Sequence, residues 1–178
     1  MTPVLANTPV IETERLALRA PAAADWPAWR GFAMSPRSAF IRTEELDEGL
    51  AWRAFGHVIG HWVLRGFGMF VFTLKGTDDA LGMAGPWYPA GWPEREIGWT
   101  VWSEAAEGKG YAREAAAAAR DHAFSVLGWT TAVSYIHPDN VRSIALADRL
   151  GATRDEKAAH PSDRPTLVYR HPAPRMRA

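Results

Sequence analysis

"EREIGWTVWSEAAEGKGYAREAAAAARDHAF", residues 94–124, decides the fold. Its first part, "EREIGWTVW", has strand character, and a helix begins near Tyr111 and runs through Ala112 to Leu127. Between them lies the glycine-rich turn "EGKGYA", residues 107–112. The first main-chain N–H groups of a helix lack intrahelical partners and carry partial positive charge, so such a turn is suited to hold an anion. Small residues let a phosphate approach the main chain, and Lys109 adds a nearby charge. The same residues also make an ordinary turn, and the alanines that follow are simply good helix formers. There is no Walker motif, because no "GK[ST]" follows the required spacer, and no dinucleotide fingerprint, which needs a third glycine-like position.

Outward from this unit, "RLALRAP" (15–21) alternates apolar and charged residues as a half-buried strand does, and Pro21 ends it. A short helix begins around Asp25, and residues 35–43 are loop-like. In "EELDEGLAWRAFGHVIGHW", Leu46, Leu50, Ala54, Val58 and Trp62 recur every four positions as a helix face, weakened by Gly49, Gly56 and Gly60. Trp52 and Trp62 are both expected in the core. "GMFVFTLKG" (68–76) and "ALGMAGPWY" form a hairpin pair. Beyond the central helix come a strand at 130–136, the helix "DNVRSIALADRL" stopped by Gly151, and a closing strand at 166–171. The order is β-α-α-β-β-β-α-β-α-β, with room for one more short strand after Gly151. Its β-α-β part requires parallel neighbours with helices packed on the sheet, a mixed sheet of the α/β (α+β) kind.

The whole chain sets bounds. Its 178 residues suit one domain with a real core, and 20 basic residues balance 20 acidic ones, so nothing in the net charge draws it to nucleic acid. There is no cysteine, which excludes disulfides, thiolate metal sites and a cysteine nucleophile. The N-terminus lacks the pattern of a signal peptide, and no apolar run approaches the roughly 20 residues of a membrane span. The expected address is the cytoplasm. The nine tryptophans are many for this length and offer rings for a cleft as well as a core.

Three ordered segments resemble the GNAT acetyltransferase superfamily. "EGKGYA" matches its [Q/R]-x-x-G-x-[G/A] hallmark at Gly110 and Ala112. "EREIGWTVWSEAAEGKGYAREA" is close to the "EIGY…P…WGKGYATEA" pattern of the branch of ribosomal-protein N-terminal (Rim-type) acetyltransferases. "HPDNVRSIALADRLGA" follows that branch's "N-x-x-S…K-x-G-[FA]" pattern at Asn140, Ser143 and Gly151, and "IETERLALR" also resembles it. The likeness spans about residues 11–171 within a single domain of 1–178. It implies a mixed, mostly antiparallel sheet of six to seven strands with about four helices, splayed between the fourth and fifth strands, with acetyl-CoA in the split.

By the same resemblance, the backbone around Gly108, Lys109, Gly110, Tyr111 and Ala112 holds the pyrophosphate of acetyl-CoA. Val101 pairs with the pantetheine arm, and Asn140 hydrogen-bonds it, although Asn140 and Asp139 also suit plain helix caps. The hallmark's first position is Glu107, where Gln or Arg is usual. A carboxylate aimed at a pyrophosphate would repel it, so Glu107 is expected to turn outward while Lys109 or Arg113 screens the site.

Acetyl transfer to an amine needs a base, a donor for the developing oxyanion and an acid for the leaving thiolate. Glu96, directly before "IGW", is the candidate base, with an exposed strand glutamate paired to Arg95 as the plain alternative; Glu94 and Glu104 are weaker. A main-chain N–H near Val101 suits the oxyanion. Many family members carry an acidic tyrosine at the position of Ala147; the Rim-type branch instead offers a serine on this helix, which matches Ser143, with a serine bonded to its own helix backbone as the plain alternative and Tyr135 as substitute acid. His137 sits near the split but is also an ordinary loop histidine. Trp87 and Trp92, with Tyr88 on the same proline-stiffened loop, are candidates to wall the acceptor site or to bury a hairpin loop, and they are compatible with a homodimer. His57 and His61 form one i, i+4 pair without a third ligand, so no metal is expected. The chain is therefore expected to be an acetyl-CoA-dependent N-acetyltransferase acting by direct attack on a primary amine, of a protein N-terminus or a small molecule. A small-amine or antibiotic acetyltransferase is the nearest variant. A non-catalytic acyl-CoA-binding module is the alternative of another class.

Overall fold

The computed structural model describes residues 4–41, 47–161 and 163–172. Eight strands form one sheet in the order β1-β2-β3-β4-β5-β6-β8-β7. They are β1 Ile11–Glu12, β2 Leu16–Arg19, β3 Phe70–Leu74, β4 Gly82–Trp87, β5 Glu96–Val101, β6 Val133–Ile136, β7 Thr153–Arg154 and β8 Leu167–Arg170. Every pairing is antiparallel except β5 with β6. β7 is the short strand for which the sequence left room after Gly151, and the count becomes eight because β1 precedes the first expected strand. Both are two-residue strands, too short to leave a periodic signal.

Alternation along β3 and β4 gives the sheet two apolar faces. Leu16, Leu18, Phe70, Phe72 and Ala84 pack under α3 (Tyr111–Ser125), whose Ala115, Ala116 and Ala119 are fully buried. Methyl side chains let this helix lie close over the sheet. Met69, Val71 and Met83 face the other way, against α1 (Trp26–Ala33) and α2 (Glu48–Arg65). Helix α4 (Val141–Arg149) buries Ala147 beside β6.

Helix α2 starts with Asp47 accepting a hydrogen bond from the Leu50 N–H and stops at Gly66, whose φ of 74° is left-handed. Its buried face is Ala51, Phe55, Val58 and Trp62 rather than the strict every-fourth series expected; Leu46 lies outside the described residues. An exact spacing of four drifts around a 3.6-residue helix, whereas a mixed spacing of three and four stays on one side. Trp52 is corrected for the same reason: it is 60% exposed and meets Trp26 edge-on at the surface. No described helix is long and apolar enough to cross a membrane.

Candidate active site

Strands β5 and β6 touch and then part. Only Glu96 and Val133 are in register, with the Val133 N–H donating to the Arg95 carbonyl at 2.9 Å. Toward β4, the register and the Trp102 N–H to Leu81 bond make 96, 98 and 100 the hydrogen-bonded residues of β5. Residues 97, 99 and 101 therefore turn their main-chain groups toward the opening. This is the expected splay, between the strands that count as fourth and fifth without β1.

A polar rivet closes the foot of the split. Ser134 on β6 donates its hydroxyl proton to the Ile97 carbonyl at 2.6 Å, so its oxygen accepts from Nε2 of His171 at 2.9 Å. That assignment leaves Nδ1 of His171 as a buried lone pair without a partner. Burial holds this imidazole neutral, down to about 4. Above the rivet opens a cavity of about 410 Å³, bounded by β5, β6, the start of α4, α2 and the β4–β5 loop.

Glu96 stands at the fork, lining the cavity. Burial pushes its carboxyl up to about 7, against the stabilising hydrogen bonds from Trp92 and the Tyr135 main chain. Nε1 of Trp92 donates to Oε2 at 2.7 Å. Gly98 keeps the space beside it open, since a Cβ there would lie 3.3 Å from Met69 and 3.6 Å from Oε1 of Glu96. The weaker alternatives lie elsewhere. Glu94 is held by a two-pronged pair with Arg170, at 2.7 and 2.9 Å. Glu104 starts a short 3₁₀ turn and does not line the cavity.

On the opposite wall, Asn140 caps α4, its Oδ1 accepting from the Ser143 N–H at 3.1 Å. The Ser143 hydroxyl accepts from Nε1 of Trp99 at 3.1 Å rather than bonding its own helix, so its proton remains available. Tyr135 also lines the cavity. Burial first, and then Glu96 and Glu94, push its phenol up to about 12, so it stays protonated. Its hydroxyl is buried without a well-formed hydrogen bond, although the Glu94 N–H lies near. His137 lines the cavity beside Phe40, and its Nδ1 accepts from the Asp139 N–H at 3.2 Å.

Trp87 and Trp92 both line the cavity, while Tyr88 instead lies under Arg65. Trp87 stacks on His61 at 4.4 Å. His61 donates from Nδ1 to the Phe67 carbonyl and accepts at Nε2 from the Tyr88 N–H. Both ring nitrogens are committed to the fold, and burial lowers its basicity. Among the described residues, no group of three or more His, Asp or Glu stands close enough to hold a metal.

The glycine turn projects from the end of β5. Gly108 and Gly110 have φ of 70° and 80°, left-handed values that glycine takes without steric cost. Gly110 is the N-cap of α3 and offers no side chain to its first N–H groups, which stay open to a ligand. Arg15 braces the turn from β2's approach, bonding the Lys109 carbonyl at 3.0 Å and pairing with Glu114 at 2.7 Å.

Glu107 corrects the expected screening. Its partners are neither Lys109 nor Arg113, but Arg37 at 2.5 Å and Arg142 at 2.6 Å. Arg37 also donates to the Trp102 and Val101 carbonyls, at 2.6 and 3.0 Å. Arg37, foremost, and Arg142 hold the Glu107 carboxyl below its usual range. No local signal could join these residues, since 70 and 35 positions separate them from Glu107. Arg142 at least stood in view, inside the "NVRS" segment.

An open mixed sheet with diverging parallel strands, a left-handed glycine turn at a helix start and a carboxylate at the fork define an acyl-CoA-type transferase fold. The chain belongs to the GNAT acetyltransferase family, whose domain matches residues 15–153. It is similar to an acetyltransferase from Agrobacterium tumefaciens, with 40% identity, 96% of this chain and 98% of that one covered, and a TM-score of 0.86. A GNAT-family acetyltransferase from Bacillus anthracis shares the fold at 22% identity, 92% and 96% coverage and a TM-score of 0.71. So does the RimL ribosomal L7/L12 α-N-protein acetyltransferase in complex with coenzyme A, at 17% identity, 92% and 97% coverage and a TM-score of 0.69.

Proposed function

We propose that this chain is a single-domain, cytoplasmic N-acetyltransferase that moves the acetyl group of acetyl-CoA directly to a primary amine. The observation that carries this is Glu96, a carboxyl held near 7 at the fork of β5 and β6, facing a cavity that Ser143 also lines. Acetyl-CoA is a substrate that the residues fit. The open amides of Gly108 to Ala112 and the nearby Lys109 suit its pyrophosphate, with Glu107 already neutralised by two arginines. The outward main-chain groups of Trp99 and the Val101 N–H suit an arm lying in the split as an added strand. The Val101 carbonyl is occupied by Arg37, so only its N–H is left to serve. Asn140 commits Oδ1 to its cap, leaving its amide N–H₂ as the donor toward the arm.

In the reaction, Glu96 takes one proton from the incoming ammonium. As the C–N bond forms and the C–S bond breaks, a main-chain N–H near Val101 steadies the charge on oxygen. Ser143 hands its proton to the leaving sulfur and is reprotonated from the amine nitrogen, and the other proton passes from Glu96 to solvent. Tyr135, protonated and poorly partnered, is the second reading for the acid. The test is amine-dependent release of coenzyme A thiol from acetyl-CoA: Glu96→Gln should abolish it while coenzyme A still binds. Tight binding with no turnover against a broad panel of amines and peptides would make the chain an acyl-CoA-binding module instead.

A further inference from the structure

Beyond Glu96, the cavity changes character. The wall made by α1, α2, β4 and the residue before β3 consists of Trp29, Ala54, Val58, Met69, Met83 and Trp87, with His57 its one polar side chain. Among the described residues that line the cavity, Glu96 is the sole carboxylate, and Arg164, a cation, is another of them. Glu94, the nearest other acid in sequence, is turned away to Arg170. The aromatic wall is also rigid: Trp87 is clasped by the rings of His57 and His61, and Trp92 is tied to Glu96.

Resting on the acetyl-transfer reading above, we infer that the acceptor is a small primary amine carried on a compact apolar body, aliphatic or aromatic. A polyamine or aminoglycoside brings several ammonium groups, and the described lining of the cavity has one carboxylate, Glu96, to receive them; each further charge buried against methionine and tryptophan goes unpaired. A peptide N-terminus brings main-chain N–H and C=O groups at every residue, and an extended peptide needs partners for them. Six apolar side chains and one histidine do not supply those. An apolar body instead gains by burial against the wall, while its ammonium reaches Glu96 between the rings of Trp87 and Trp92. The C–N bond forms at that nitrogen as the C–S bond of the thioester breaks, giving the amide, free thiol and one proton.

The experiment compares phenethylamine and isoamylamine with spermidine, kanamycin and a heptapeptide bearing a free N-terminal Phe, reading coenzyme A thiol release. kcat/KM for the two apolar amines should exceed that for each of the others by about 100-fold. Equal or faster turnover of spermidine, kanamycin or the peptide overturns the inference. A parallel measurement by calorimetry, with coenzyme A present, reads binding of phenethylamine and spermidine without turnover. Selective binding of phenethylamine with no acetyl transfer retains the acceptor class and rejects the enzyme reading; spermidine binding as tightly rejects the acceptor class itself. Ala54→Asp, at a partly buried position on α2, adds a second carboxylate to the cavity lining. It should lower the phenethylamine-to-spermidine ratio at least about tenfold with coenzyme A affinity unchanged, and an unaltered ratio counts against this wall as the acceptor site.

Discussion

The indole of Trp92 and the carboxylate of Glu96 meet at 2.7 Å across the mouth of the β4–β5 loop, so a ring that lines the cavity also bears on the basicity of its carboxyl. Burial raises that carboxyl to about 7, and the Trp92 hydrogen bond opposes the rise by favouring the ionised form. Activity that needs ionised Glu96 should climb with pH through about 7 and then level. Glu96→Gln should cut kcat/KM by about 100-fold or more and erase that limb. Trp92→Phe should move the limb upward, because the carboxylate loses its donor. A pH profile of thiol release for the three proteins checks both statements.

Stability should answer to the same carboxyl with the opposite sign. Its folded value lies above the ordinary 4.5, so the contribution is fully present below about 4.5 and lost as pH rises through about 7. At pH 8, Glu96→Gln should be more stable than the parent, on the order of 1–3 kcal/mol, and near pH 4.5 the two should coincide. Urea unfolding at the two pH values measures the difference.

Arg37 and Arg142 already balance the Glu107 carboxylate, so it should not oppose coenzyme A binding. Glu107→Gln should alter coenzyme A affinity by less than about threefold, which calorimetry can read. Arg37→Ala is a different case. It leaves the Glu107 carboxylate with Arg142 alone and strips a donor from the Val101 and Trp102 carbonyls, so about 1–3 kcal/mol of stability should be lost in chemical unfolding.

The two candidate acids separate by substitution. Ser143→Ala should lower kcat by about 10- to 100-fold with little change in the KM for acetyl-CoA, whereas Tyr135→Phe should leave kcat nearly unchanged. The reverse pattern assigns the proton to Tyr135. Circular dichroism of Ser143→Ala should stay as in the parent, since the helix cap is made by the Ser143 main chain, not its hydroxyl.

Gly110→Ala tests the turn. At a φ of 80° an alanine costs about 1–2 kcal/mol, and its methyl would meet Arg15 at an ordinary 3.5 Å, so the penalty is conformational. Weakened coenzyme A binding should accompany it, measured beside the thermal midpoint.

Local pattern determined much of this protein: the period-2 strands, the glycine stop at 151, the strand–turn–helix around residue 110, and the segments that resemble its family. Each depends on neighbours a few positions apart, where backbone sterics and side-chain periodicity act directly. Glu96, Ser143, Trp87 and Trp92 were legible as site candidates, and the fold brings all four to one cavity. What tertiary structure alone decided involves partners far apart in the chain. Trp99 holds the Ser143 hydroxyl, His171 and Ser134 rivet the foot of the split, and Arg37 and Arg142 neutralise Glu107. Charge and hydrogen-bond compensation are properties of distance in space, and a chain folded over 70 residues keeps no local trace of which side chains end up within 3 Å. Glu107 shows the consequence: by sequence a carboxylate out of place beside the glycine turn, in the fold it is the tie that joins that turn to Arg37 and α4.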